Sequence, residues 1–95
     1  MHVISKKAIQ SFVERHADGA EPLAAWYRII TRTRFANMAE LRKAFNSVDV
    51  VSGLHVFNIA GNRFRLIAAI HFNVGRVYIR HVLTHAEYDK GAWKR

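Results

Sequence analysis

Hydrophobic residues in the first half of the chain recur at the three- to four-residue spacing of amphipathic helices. A short strand is predicted ahead of them at His2–Ile4. Ser5 is expected to cap the first helix, Pro22 fits the first turn of the second, and Asn37 with Glu40 resembles a capping box for a shorter third helix. The apolar stripes of the three predicted helices are Ala8, Ile9, Phe12 and Val13, then Leu23, Trp26, Tyr27 and Ile30, then Met38, Leu41 and Phe45.

After Ser47 the hydrophobic pattern changes to the alternation that is typical of strands. Strands are predicted over residues 54–59, 63–72 and 76–83. Gly61-Asn62 fits a two-residue hairpin loop, and Asn73-Val74-Gly75 fits a second turn. This order of elements predicts an α+β fold in which two to three helices cover one face of a mainly antiparallel sheet. Because no repeat or linker is visible, residues 1–95 are expected to form a single domain.

Alternation along the predicted strands separates an apolar face from a polar one. The predicted apolar face carries Phe64, Leu66, Ala68, Ile70 and Phe72 together with Val77, Ile79 and Leu83. An even-length turn keeps this face continuous, sets Asn58 opposite Arg65, and sets Arg65 opposite Thr84. The predicted polar face carries Asn58, Arg63, Arg65, Arg76, Tyr78 and Arg80. Such a surface can hold phosphates and stack a base, although outward charges are also typical of a merely solvated face.

The net positive charge of the chain favours a role for that polar face in binding an anionic partner. Fifteen Lys and Arg residues stand against seven Asp and Glu residues, which gives a formal net charge of +8, and arginine outnumbers lysine two to one. A basic domain of this size is typical of proteins that bind nucleic acid, an anionic membrane or an acidic protein. No predicted helix joins a lysine-rich face to a strong apolar face, so a membrane is the least favoured of these partners.

Two absences narrow the class of protein further. The chain has no cysteine, which excludes disulfides, thiolate catalysis and thiolate metal sites. The uninterrupted apolar runs are far too short for a membrane span, and the opening MHVISKK lacks the apolar stretch of a signal peptide. We therefore expect a cytoplasmic protein.

The segment THAEYDKGAWK, residues 84–94, concentrates groups suited to RNA cleavage. Cleavage without a metal needs a proton-transfer group, a cation beside the phosphate and a donor for the leaving oxygen. His85 titrates in the appropriate range, Tyr88 can donate or stack, and Lys90 can act as a cation. If the segment is helical, His85 and Tyr88 lie on one turn. Arg65 and Arg80 would then hold the phosphate, and the segment would fold back over the sheet.

Structural explanations exist for the same residues. His85 can cap or bond the backbone, and Tyr88 and Trp93 can cover the sheet edge. The four-residue spacing of His81, His85 and Asp89 would suggest a metal site on a helix. His81, however, falls in a strand pattern and no further donor follows at suitable spacing, so we expect no metal and no other cofactor.

The runs VFNIAGNRFRLIAAIHF and VYIRHVLTHAEYDK resemble the HigB-type toxins of bacterial type II toxin–antitoxin modules, a branch of the RelE-like superfamily. The similarity lies in the F-N-I-x-G-N hairpin, the R-L-I-A and Y-I-R strands, and above all in T-H-x-E-Y-D. The opening MHVISKKAI and the SVD segment at residues 47–49 are also similar, so the resemblance covers nearly the whole chain.

The resemblance implies a RelE-like α+β fold and an mRNA interferase, a metal-independent endoribonuclease that cuts messenger RNA in the ribosomal A site and arrests growth. It also implies a HigA-type helix-turn-helix antitoxin, through which alone the protein would reach operator DNA. By position it implies catalytic roles for Arg65, Arg80, His85 and Tyr88. The further residues expected to bind RNA are Asn58, Arg63, Arg76, Tyr78, Lys90, Lys6 and Lys7. The alternatives are a basic RNA- or DNA-binding module that does not cut, and an inactive toxin homologue.

Overall fold

A five-stranded mixed sheet forms the centre of the structure, a computed structural model that describes residues 1–94. Its strands are β1 (His2–Ile4), β2 (Asp49–Val51), β3 (Leu54–Ile59), β4 (Phe64–His71) and β5 (Arg76–Thr84). The strand order is β1-β5-β4-β3-β2, and only β1 runs parallel to its neighbour. The predicted α+β class with a mainly antiparallel sheet is thus confirmed.

Three helices cover one face of this sheet, as predicted. They are α1 (Lys7–Arg15), α2 (Ala20–Arg32) and α3 (Met38–Ala44), with a 3₁₀ turn at Ala17–Gly19 joining the first two. Their stripes pack on the apolar faces of β3, β4 and β5 around the fully buried Phe12, Leu23 and Phe57. No helix within residues 1–94 is long and apolar enough to cross a membrane.

Of the predicted N-caps, that of α3 is confirmed and that of α1 is wrong. The side chain of Asn37 accepts a hydrogen bond from the Glu40 backbone N–H at 3.0 Å, so the cap of α3 is confirmed. The prediction for Ser5 is wrong: Ser5 adopts a left-handed conformation with φ of 74°, and the N-cap of α1 is Lys6. The chain turns sharply there to pass from the sheet onto the helical layer.

The opposite face of the sheet carries a second, smaller core. A fourth helix, α4 (His85–Lys90), and a 3₁₀ turn at Ala92–Lys94 fold back across this face. Trp93 is buried there against Val56 and Ile67, and Leu83 and Tyr88 pack around it. The prediction that the terminal segment folds back over the sheet is therefore confirmed.

The two hairpins test the predicted register. At the first, Asn58 pairs with Arg65 as predicted, and Gly61 takes the left-handed φ of +67° that a tight turn requires. At the second, Ile70 pairs with Val77, so the connection is of even length as predicted, but it contains the four residues 72–75 rather than two.

The predicted two-residue turn would set Ile70 opposite Ile79, so the longer connection shifts the predicted pairing of β4 with β5 by two residues without exchanging the faces. Beyond the middle of β5 the predicted faces are wrong as well. Ala68 pairs with Ile79 but Ile67 pairs with His81, so Arg80 is an extra residue in a β-bulge. One extra residue exchanges the two faces of the strand that follows it. Val82 therefore joins the helical core, Leu83 joins the second core, and Arg65 lies opposite Leu83 rather than Thr84.

Candidate active site

Helix α4 starts directly at the end of β5 because Thr84 caps it. The Thr84 hydroxyl accepts a hydrogen bond from the Glu87 backbone N–H at 3.2 Å, and Glu87 Oε1 accepts from the Thr84 backbone N–H at 2.9 Å. Gly91, with φ of 72°, ends the helix. The His85 backbone N–H also donates to the Arg63 carbonyl at 2.9 Å, which continues the hairpin pairing into the helix. His85 is thus held beside the Gly61-Asn62 loop.

The same cap determines the charge of Glu87. The hydrogen bond from the Thr84 backbone lowers the pKa of the Glu87 carboxyl, burial opposes this, and the Thr84 hydroxyl, Arg15 and His16 lower it further. The net effect is a carboxylate that stays ionised at neutral pH.

Asn62 links the two sides of the candidate site. Its backbone carbonyl accepts a hydrogen bond from Arg65 at 3.1 Å and another from Nδ1 of His85 at 3.0 Å. A second Arg65 nitrogen donates to the Asn62 side-chain oxygen. Arg65 and His85 are therefore fixed relative to each other through one loop residue.

Arg65 is buried, contrary to its prediction as part of an exposed polar face. Its side chain is 7% exposed, also donates to the Phe64 carbonyl at 3.0 Å, and lies 5.3 Å from the centre of the Tyr88 ring. Tyr88 in turn stacks on Trp93, with ring centres 5.2 Å apart and planes 13° apart. The terminal segment covers the guanidinium, so Arg65 supports the site from beneath rather than presenting itself to solvent.

Both ring nitrogens of His85 face oxygen atoms. Nδ1 faces the Asn62 carbonyl, and Nε2 lies 2.9 Å from a carboxylate oxygen of Asp89 on the next turn. A carbonyl oxygen only accepts hydrogen bonds, so the contact with Asn62 requires a proton on Nδ1. The Asp89 side chain is 62% exposed, so the Nε2 side is the one open to solvent and to a substrate.

Several other predicted residues lie near this cluster. Asn58 is exposed and opposite Arg65. Lys90 is exposed at the end of α4. Arg63 precedes β4 instead of belonging to it, and its guanidinium forms an ion pair with Asp18 on the helical side.

The remaining predicted residues lie elsewhere. Arg80 is exposed in the bulge of β5, four residues before the strand ends at Thr84. Arg76 and Tyr78 pair with β1, and at about 3.3 Å per residue Tyr78 is roughly 20 Å along the strand from Thr84. Lys6 and Lys7 lie at the start of α1, where the ammonium of Lys6 is 4.5 Å from the ring centre of Tyr27. The structure thus separates the predicted RNA-binding residues into those near Asn62 and those farther along β5 or at the start of α1.

The sequence pattern predicts Asn62 only as a loop residue and does not indicate that it joins Arg65 to His85. Its carbonyl contacts come from side chains 3 and 23 positions away, so nothing in the local pattern indicates them. The one available signal was the predicted hairpin register, which brings the loop to the end of β5. Within residues 1–94, no three His, Asp or Glu side chains come together as metal ligands.

A basic α+β protein with a histidine, a tyrosine and an arginine joined at one end of its sheet has the architecture expected of a RelE-like toxin. The comparisons agree. Residues 19–91 match the family model of HigB_toxin, the RelE-like toxic component of a toxin-antitoxin system. The chain therefore belongs to the HigB toxin family, and as such it is the toxin of a module that also contains an antitoxin.

Curated relatives match over almost the full length. An "mRNA interferase HigB" of Escherichia coli O6:H1 is 36% identical over 93 residues, which are 95% of this chain and 90% of the relative. The "mRNA interferase toxin HigB" of Escherichia coli K12 is 35% identical over 92 residues, 94% of this chain and 88% of the relative. An "mRNA interferase HigB" of Shigella flexneri matches to the same extent.

Proposed function

We propose that this HigB-family toxin is an endoribonuclease that cuts messenger RNA at the cluster formed by Asn62, Arg65, His85 and Tyr88. Two kinds of support converge on this activity. The curated relatives are named as mRNA interferases. The observation that carries the proposal is the position of the His85 ring, which is anchored through Nδ1 on the Asn62 carbonyl and has its Nε2 beside the exposed carboxylate of Asp89.

The chemistry follows from that ring. The ribose 2′-hydroxyl gives its proton to solvent water and attacks the adjacent phosphorus without a metal, the bond from phosphorus to the 5′-oxygen breaks, and a 2′,3′-cyclic phosphate and a free 5′-hydroxyl are formed. The leaving 5′-oxygen needs a proton, and the Nε2–H of His85 supplies it. A phosphate that displaces Asp89 would take the place of the carboxylate oxygen that now lies 2.9 Å from Nε2.

The other predicted catalytic residues take distinct parts. Arg65 positions the Asn62 carbonyl and the Tyr88 ring, and its buried charge adds positive potential beneath the phosphate. Tyr88 offers its phenolic hydroxyl as a hydrogen-bond donor, because Arg65 and Trp93 already lie against its ring. Arg80 is exposed and free of ion pairs within residues 1–94, so it contacts the phosphate chain directly.

The remaining basic residues extend the RNA-binding surface. Asn58 lies opposite Arg65 of the cluster, and Lys90 ends the helix that carries His85. Arg63 contributes less, because Asp18 already neutralises it. Farther away, the message or ribosomal RNA is bound by Arg76 and Tyr78 on β5 and by Lys6 and Lys7 at the start of α1. Each phosphate contact there makes binding more sensitive to salt.

The biological setting of the proposal is the translating ribosome in the cytoplasm, with the message cut in the A site. The antitoxin is a HigA-type helix-turn-helix protein, and operator DNA is reached only through it. The membership of the chain in a toxin family supports a dedicated antitoxin, and the net charge of +8 supports an RNA-rich target.

Mapping new 5′ ends in cellular messages after induction tests this function. We expect cuts with the intact protein and a loss of at least 100-fold in His85→Gln, because proton transfer by a positioned side chain contributes about 10²- to 10⁴-fold. The matched control is His71→Gln, an exposed histidine at the far end of β4, which should cut normally. Crosslinking to RNA without any new ends would instead support a non-catalytic binding module.

A further inference from the structure

A cleft of about 380 Å³ lies on the other side of α4 from the Asn62 cluster. Its lining comes from β5, α4 and the final 3₁₀ turn, and consists of His81, Leu83, Glu87, Lys90, Ala92 and Trp93. We propose that this cleft is a subsite for one nucleobase of the RNA, and that it favours a base carrying an amino group over uracil. The assignment as part of an RNA site rests on the proposed function.

The lining has the two kinds of surface that a base requires. Leu83, Ala92 and Trp93 supply apolar walls, which suit the flat faces of an aromatic ring. His81, Glu87 and Lys90 supply hydrogen-bonding groups for its edge and for the attached phosphate. The volume lies within the about 300–1,000 Å³ of small-ligand clefts, so there is room for a nucleotide but not for a folded peptide element.

Glu87 gives the cleft its preference among bases. Its Oε1 is used by the Thr84 N–H, while Oε2 has no hydrogen-bond partner within residues 1–94. An ionised carboxylate only accepts hydrogen bonds, so it favours the amino groups of cytosine, adenine and guanine. Uracil presents carbonyl oxygens on both sides of its single N–H, and these repel the carboxylate.

The position of the cleft connects it to the cleavage chemistry. Helix α4 carries Glu87 and Lys90 toward the cleft and His85 and Asp89 toward Asn62. A helix with its side chains is about 10–12 Å across, so the two sites are separated by roughly one helix. An RNA chain that crosses over α4 would place one base in the cleft while a nearby phosphate contacts His85. The cleft would therefore select where the message is cut.

Nuclear magnetic resonance titrations with GMP, AMP, CMP and UMP test the subsite directly. The chain has two tryptophans: Trp93 lines the cleft, and Trp26 is buried under the helices and serves as an internal control. We expect the Trp93 indole signal to shift and the Trp26 signal to stay, with UMP binding at least fivefold more weakly than CMP. A shift of both signals alike, or of neither, would overturn the proposal.

Three variants sharpen the test. Ala92→Phe fills the cleft from an exposed position, and Ala39→Phe places the same ring at an exposed position of α3 on the opposite sheet face. Only the first should weaken nucleotide binding, by tenfold or more. Glu87→Gln keeps a residue that can complete the helix cap but adds a donor, so it should remove most of the difference between CMP and UMP.

Cleavage assays separate failure of this inference from failure of the proposed function. Ala92→Phe should change the pattern of cut sites in messages, whereas His85→Gln should abolish cutting altogether. If Ala92→Phe cuts the same sites at the normal rate while His85→Gln does not cut, the base subsite is wrong and the nuclease stands. If nucleotides bind in the cleft but no message is cut, the subsite stands and the nuclease is wrong.

Discussion

The substitution Arg65→Lys tests whether the guanidinium of Arg65 acts by positioning its neighbours. Arginine reaches three acceptors at once: the Asn62 carbonyl, the Asn62 side-chain oxygen and the Phe64 carbonyl. Lysine keeps the positive charge but concentrates its donors at one point, so it cannot reproduce the planar fork. The substitution therefore removes the planar arrangement of donors that reaches the three acceptors and keeps the positive charge.

The size of the effect follows from these contacts. A hydrogen bond to a charged group contributes about 1.5–3 kcal/mol, and the lysine variant loses about two of the three, so the free energy of unfolding should fall by about 3 kcal/mol. Domains of this length have a total stability of roughly 5–14 kcal/mol, so the variant should stay folded. Since His85 is anchored to the same Asn62 carbonyl, a small displacement should lower kcat by about 10²-fold.

Urea denaturation and steady-state RNA cleavage measure the two effects separately. Positioning predicts a lower kcat with KM changed less than threefold. If KM rises while kcat holds, Arg65 binds the phosphate directly and the positioning argument is wrong. A matched control is Arg42→Lys, an exposed arginine on α3, which should leave both measurements unchanged.

Two further predictions concern stability. The buried ring of His55 has a lowered pKa, chiefly because burial removes it from water. As the pH falls, the unfolded chain therefore takes up a proton before the folded chain does, and the free energy of unfolding should fall below about pH 6.5. His55→Phe should make stability depend less on pH in this range, and the exposed control His71→Phe should not. Equal acid sensitivity of both variants in pH-dependent urea melts would refute this. Trp93→Ala should cost about 3–5 kcal/mol in urea melts and also reduce cleavage, because Trp93 supports Tyr88, whereas exposed Lys94→Ala should do neither. Unchanged stability of Trp93→Ala would show that the second core is not formed.

The parts of the fold that the sequence predicts are those fixed by local periodicity and turn chemistry. The three helices, the Gly61-Asn62 hairpin and the pairing of Asn58 with Arg65 all follow from spacing and from alternation. The conditional prediction of a helix at THAEYD is also confirmed, because Thr84 and Glu87 form a capping box.

Other features depend on contacts that local patterns do not encode. The bulge at Arg80 requires one extra residue in a strand whose apolar alternation continues on both sides, so the pattern alone gives no sign of it. Strand β2 is three mostly exposed residues, too short for alternation to indicate. The burial of Arg65 depends on α4 and Trp93 covering it from far along the chain. For the same reason the roles of the individual site residues stay predictions.

Trp93 links the stability of the fold to the toxicity of the protein, because the ring that completes the second core also packs against Tyr88. Cells that survive forced expression of the gene should therefore carry many of their inactivating mutations in the codons for residues 84–94. Premature stop codons and frameshifts in these codons would inactivate the toxin and leave most of the coding sequence unchanged.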